Sequence, residues 1–195
     1  MIEPKNTKLG NDNYTILQGY ENTQSLQIKL LSDNATKPKR ADDESAGYDI
    51  YAAETIILEP QQKALIATDL AVNIPKGYVG LLTSRSGVSS KTHLVVETGK
   101  IDAGFQGHMQ INVKNDSVVL TPNEIKTRNI MDIKGEMMTY ELAKEGFSIG
   151  SYVINKGDRI AQLVIVPIWT PELETVKEFS NETARGEKGF GSTGY

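Results

Sequence analysis

The sequence predicts an all-β protein, a jelly roll or β-barrel carrying a small inserted, partly helical subdomain. Three observations point there. Short runs rich in β-branched and aromatic residues recur along most of the 195 residues, Gly/Pro turns punctuate them, and a single stretch breaks the rhythm. Strands at such short intervals build sandwiches, barrels and jelly rolls.

Residues 1–25 are polar and lack periodicity, and they read as a loosely held N-terminal arm. LQIKLL (26–31), YDIYAA (48–53), TIILE (55–59), ALIATDLAVNI (64–74) and YVGLLTS (78–84) read as strands, with turns at Pro60, Pro75-Lys76-Gly77 and Ser86-Gly87. LVVETGKID (94–102) and HMQINVKN (108–115) flank residues 103–107, which read as a hairpin connection. SYVIN (151–155) and RIAQLVIVPIWT (159–170) complete the set, with Pro167 expected at an edge or a bulge. The break lies at 117–150. Within it EMMTYELAKE (136–145) places Met137, Met138, Tyr140 and Leu142 near helical spacing, and Gly146 stands where such a helix would stop. The expected organisation is therefore a β core over 26–116 and 151–180, an insertion over 117–150 and a C-terminal arm over 181–195.

Composition narrows the function. At 38% apolar and 24% charged residues the chain is ordinary for a soluble globular protein. A net charge of −4 gives no broad field for a nucleic-acid polyanion, although local arginines could hold a small anion. Without cysteine there is no disulfide, thiolate metal site or Cys nucleophile. No signal sequence and no apolar run near about 18 residues is present, so a cytoplasmic protein with no membrane association is expected. His93 and His108 lie on different segments without metal-ligand spacing, which argues against a Ser-His-Asp arrangement.

Neither a P-loop nor a dinucleotide fingerprint is present. The terminal RGEKGFGSTGY resembles a glycine-rich phosphate cradle, but no helix follows it. Four other short stretches carry polar chemistry: Ser84-Arg85-Ser86-Gly87, Gly99-Lys100-Ile101-Asp102, Gly157-Asp158-Arg159-Ile160-Ala161-Gln162 and Ala46-Gly47-Tyr48-Asp49. Singly, each reads as a β-turn, an ion-paired turn or a strand start.

In order they resemble the five motifs of the trimeric dUTPases (dUTP pyrophosphatases): AGYDIYAAE (46–54), SRSGVSSKT (84–92), GKIDAGFQGH (99–108), KGDRIAQLVI (156–165) and RGEKGFGSTG (185–194). The resemblance implies a dUTPase-like jelly roll that hydrolyses dUTP to dUMP and pyrophosphate by water attack on the α-phosphorus. Asp102 matches the carboxylate that orients and deprotonates that water. Arg85 and Ser86 match groups on the phosphates, Gly87 lets the backbone come close, and Gln162 helps hold the water or α-phosphate. Asp158 and Arg159 look structural. Gly99 and Ile101 belong to the segment that would read uracil through its backbone. Phe105 stands where the family usually has a tyrosine packed on the deoxyribose, so the ring is kept and the hydroxyl lost. Arg185, Gly191, Ser192 and Thr193 would hold the terminal phosphates, and Phe190 would cover the uracil as a lid. Mg²⁺ is the implied cofactor, held mainly by the triphosphate and waters; Asp49 is a candidate for its water shell and equally for a structural role at a strand start. Lys91 falls on an often basic position and is given no role.

The family assembles as a homotrimer whose sites combine motifs of different subunits. The insertion, with LLTSRSGVSSKTHLVVETGKIDAG and LVIVPIWTPELETV, resembles dUTPases of staphylococcal phages. Those enzymes also bind a repressor protein of mobile pathogenicity islands, which makes such a repressor an expected partner; the bland reading is a tolerated surface loop. Two alternatives stand beside the hydrolase: a dCTP deaminase-like enzyme of the same fold, and a purely regulatory binding protein.

Overall fold

A computed structural model describes residues 25–118, 126–140, 145–184 and 186–187. The strands are β1 (Gln27–Leu30), β2 (Tyr48–Tyr51), β3 (Ile56–Leu58), β4 (Lys63–Asn73), β5 (Tyr78–Ser84), β6 (Leu94–Val96), β7 (Gly99–Ile101) and β8 (Met109–Asn115). They continue with β9 (Lys126–Thr127), β10 (Asn129–Met131), β11 (Met137–Thr139), β12 (Phe147–Ser148), β13 (Tyr152–Ile154) and β14 (Arg159–Pro167). A six-residue helix, α1 (Ser86–Lys91), follows β5.

Alternating side chains decide which way each strand faces. In β8, Met109, Ile111 and Val113 are buried while the residues between them are at least partly exposed, so one face packs inward. The strands form sheets ordered β1-β4-β8-β6, β2-β14-β5-β7 and β11-β10-β13-β3, plus the pair β12-β9. Ile50, Ile66, Leu82, Ile111, Ile154 and Leu163 bring the three larger sheets onto one core. Burying each such side chain contributes roughly 1.5–3 kcal/mol.

β4 is interrupted on the way. Its register with β8 shifts between Ala67 and Leu70, and Asp69 adopts φ 53°. A left-handed non-glycine residue costs roughly 1–2 kcal/mol, and local bonds offset it. The Asp69 N–H donates to His108 Nε2 at 2.9 Å, its carbonyl accepts from Leu31 N at 2.8 Å, and its carboxylate accepts from the Ser32 hydroxyl. The bulge thereby anchors the end of the 103–108 segment.

Three expectations change. The helix expected over 136–145 is contradicted where described: Met137–Thr139 is β11, paired antiparallel with β10, and residues 141–144 lie outside the described residues. The reason is local. Asp132 Oδ1 accepts from Lys134 N (2.8 Å) and Glu136 N (2.9 Å), and Gly135 takes φ 77°, which closes a hairpin and prevents helix entry. The expected turn at Ser86-Gly87 is instead the start of α1. Finally, 94–102 is two strands, not one. β6 pairs with β8 in one sheet and β7 with β5 in another, so 103–107 crosses between sheets and closes no hairpin. Leu94 and Val96 bury one way, whereas Ile101 packs against Gly80, where an added Cβ would stand 3.2 Å from its own.

Candidate active site

One constellation gathers at the end of the β2-β14-β5 sheet. Gln162 of β14 lies opposite Asp49 of β2 on one side and Thr83 of β5 on the other. Gly47 makes this close approach possible, since a Cβ there would meet the Leu163 carbonyl oxygen at 2.9 Å. Asp49 is the one buried carboxylate among the described residues. Arg85 Nε donates to its Oδ1 at 2.7 Å and Arg159 Nη1 to its Oδ2 at 3.0 Å, while Arg85 Nη1 reaches the Arg159 carbonyl at 3.4 Å. Such a buried acid between two guanidinium groups fixes where both point.

From Arg85 the chain turns directly into α1, whose first bonds run from Val88 N and Ser89 N to the Arg85 carbonyl at 3.1 and 3.0 Å. Ser86 and Gly87 are exposed there, and among the described residues nothing outside its neighbours and its own helix lies within 4 Å of a Cβ added at Gly87. The described fold does not demand that glycine, and the space the described residues leave in front of it suits a ligand. Asp158 closes the preceding turn by accepting from Asn155 N at 2.8 Å. Burial holds its carboxyl above the usual range against that bond, with Asp132 adding to the rise.

The second constellation sits elsewhere. β7 pairs Gly99 with Leu82 and Ile101 with Gly80, so Asp102 emerges toward the start of β5. Arg85 follows its end. Four residue steps along β5 lead from Gly80 to Ser84, about 13 Å at the usual strand rise. Asp102 and Phe105 are exposed, and Phe105 N donates to the Asp102 carbonyl at 3.0 Å. The Phe105 ring folds over Gly107, where an added Cβ would lie 2.9 Å from it. Arg85, Ser86, Gly87 and Gln162 are thus brought together with Asp49, while Gly99, Ile101, Asp102 and Phe105 form a separate group. Arg185, Phe190, Gly191, Ser192 and Thr193 lie outside the described residues.

Two contributors were missed or undervalued from sequence. Gly107 leaves room for the Phe105 ring, signalled only by a glycine two residues after an aromatic. Arg159, read as structural, shares Asp49 with Arg85; its signal was the pairing of one strand-start acid with two arginines. For a metal, no group of three or more His, Cys, Asp or Glu comes together among the described residues, and both Asp49 oxygens accept from arginine. That donor set fits a magnesium ion carried by phosphate oxygens and waters better than an all-protein cage.

A family model described as dUTPase matches residues 33–126 and 135–194. The chain is 36% identical over 175 residues to the deoxyuridine 5'-triphosphate nucleotidohydrolase of Debaryomyces hansenii, across 89% of this chain and 90% of that protein. Among solved structures, the Staphylococcus bacteriophage 80alpha dUTPase with dUPNHPP is 59% identical with a TM-score of 0.82, covering 89% of this chain and 100% of that one. It is described among phage dUTPases that control transfer of virulence genes by a proto-oncogenic G protein-like mechanism. The dUTPase from phage phi11 of S. aureus, in which a species-specific insert is visualised, is 58% identical with a TM-score of 0.75, covering 81% and 99%.

Proposed function

The chain belongs to the dUTPase family, and on that premise we propose that it hydrolyses dUTP to dUMP and pyrophosphate. The observation that carries the reading is the Arg85–Asp49–Arg159 cluster beside Gln162, which holds a guanidinium and the start of α1 in place before any phosphate arrives. Preorganised donors of this kind are what phosphoryl transfer asks of a protein. Asp102 takes a proton from the attacking water, whose oxygen bonds to the α-phosphorus. The bond from that phosphorus to the bridging oxygen breaks, and its electron pair leaves with pyrophosphate. Arg85 and Ser86 hold the phosphoryl oxygens, and Gln162 orients the water or the α-phosphate. Bound with the triphosphate, Mg²⁺ would supply positive charge against the oxygens. Asp49 positions Arg85 in this reading, and a place in the metal's water shell is the lesser of its two expected roles.

The separation of Asp102 from Arg85 supports assembly as a trimer, in which one copy's Asp102 meets another copy's Arg85, Ser86 and Gln162. Beyond β14 the chain exposes Trp169 (77%), Leu173 (97%) and Phe179 (89%), apolar surface suited to burial on a neighbouring copy. The 185–195 arm would close over the nucleotide with Phe190 on the base.

Pyrophosphate release from dUTP, with dTTP, dCTP and UTP as controls, tests the reaction in the parent and in Asp102→Asn. Equal rates would remove Asp102 as the base, and ammonia from dCTP would favour the deaminase-like alternative. Mixing Asp102→Asn with Ser86→Ala subunits tests the shared site, because about a quarter of the sites in randomly mixed trimers regain both groups. A mixture no more active than its components would dismiss it.

A second role rests on the phage relatives and their insert. The chain binds a repressor protein of a mobile pathogenicity island and relieves repression. Deleting 117–150 and measuring repressor binding apart from dUTP turnover tests this; unchanged binding would exclude the insertion as the main docking surface.

A further inference from the structure

Lys91 has no part in the reaction above, but its backbone meets the insertion. A Cβ built on Gly135 would stand 2.5 Å from the Lys91 carbonyl oxygen, a distance at which one backbone must move. We infer that the 132–136 turn is a brace for the C-terminal end of α1, and that Gly135 is a positioning residue for the phosphate-binding groups at its other end. This rests on the reading of Arg85 and Ser86 given above.

Several observations converge on the brace. With six residues, one buried side chain (Val88) and no side-chain cap on its first turn, α1 cannot hold itself. The turn that meets it is rigid, with Asp132 accepting two backbone N–H groups and Gly135 at φ 77°. It is also anchored: Met131 and Ile133 pack on the core, and Met131 N donates to the Ser151 carbonyl at 3.0 Å. Met131 pairs with Tyr152 of β13, and the buried Tyr152 hydroxyl accepts from His93 N at 3.1 Å, two residues beyond Lys91. The insertion therefore reaches the same helix end by two routes. Residues 127–134, which the family model leaves unmatched, contain β10 and the first three residues of the turn, while Gly135 itself falls in the matched part. A helix of this length is about 9 Å long and moves as one piece, so a shift at Lys91 is passed to Ser86 and Arg85. Misplacing such groups by about 1 Å can cost on the order of a hundredfold in rate.

The test uses the full chain. Gly135→Ala is expected to lower kcat for dUTP by roughly ten- to a hundredfold while KM changes less than about threefold, the pattern of an interaction lost in the transition state. Amide hydrogen exchange over 86–92 should accelerate in parallel. Gly146→Ala is the control: it has a comparable φ of 73° and meets the Thr127 carbonyl at 2.9 Å, strain confined to the insertion. It should leave turnover and exchange over 86–92 at parent values. Tyr152→Phe removes only the hydroxyl and decides the matter where Gly135→Ala fails to fold. A roughly two- to threefold fall in kcat with faster exchange at His93 is expected from one lost hydrogen bond. Parent-like exchange over 86–93 in either variant, or an equal loss in Gly146→Ala, overturns the brace. A parent that releases no pyrophosphate from dUTP overturns the hydrolase reading instead, and exchange alone then decides the brace.

Discussion

The two ends of the β2-β14-β5-β7 sheet are built on opposite principles. At one end Asp49 is buried, both its oxygens are occupied, and Arg85 and Arg159 are fixed by it. At the other end Asp102 and Phe105 stand exposed, the first tied to the second only through backbone. On the proposed reading, phosphate-holding groups must be in place before charge develops, and intrachain bonds hold them. A base that needs only reach to one water could then wait on an open surface until another copy and the nucleotide enclose it. A single chain would finish half of the proposed site and present the other half.

Substitutions should break the two ends differently. Asp102→Asn is expected to lower kcat by about 10²–10⁴-fold, the usual worth of a general base. Its melting temperature should stay near the parent's, because Asp102 is exposed and no bond to its carboxylate is found among the described residues; a large thermal shift would contradict the picture of an unpinned base. Asp49→Ala should act in reverse. Unpairing two arginines costs roughly 3 kcal/mol of stability, the low end for a broken buried pair because Arg159 is half exposed. Denaturant unfolding reads that loss, and dUTP turnover should fall with it as Arg85 loses its aim. Phe105→Tyr should change dUTP affinity by no more than a fewfold, about what one added hydrogen bond supplies, and still reject UTP. Ready UTP hydrolysis by both parent and variant would end the account in which the ring folded over Gly107 excludes a 2′-hydroxyl.

The smallest effect separates the insertion's anchor from both ends. Burial works to raise the Glu59 carboxyl, but bonds from Ser148 N, Lys126 and the Ser148 hydroxyl outweigh it and hold the group below its ordinary value of 4.5. An acid depressed in the folded state contributes stability above its unfolded value and loses it as pH falls through the lower folded one. Protection of the Phe147 and Ser148 amides, taken relative to their intrinsic exchange rates, should therefore be full above about pH 4.5 and fall below it. In Glu59→Gln that acid step should disappear; an unchanged pH profile would show that the anchor is not electrostatic.

Much of the fold could be read directly, because alternating β-branched strands and Gly/Pro turns are local signals. β4, β5, β8 and β14 lie where those runs lie, and β14 stops at Pro167, which can begin no further ladder bond. The misreadings share a cause. Met137–Thr139 had helical spacing over a window too short to fix a period, and pairing with β10 overrode it. The split at 94–102 was invisible because both halves are good strands, and only the choice of sheet distinguishes them.

The site divides along the same line. By itself the sequence determined the residue types and their order: an aspartate, an arginine-serine turn, a glutamine strand and a glycine-rich tail, chemistry written in short local motifs. Tertiary structure decided which of them meet. Asp49 precedes Arg85 by 36 positions and Arg159 by 110, and only the β2-β14-β5 pairing makes them one ion cluster. It also decided that Asp102 leaves at the far end, and that Gly135 rests on Lys91. Those facts depend on strand register and on backbones approaching across long stretches of chain, and no local pattern of side chains encodes such distances.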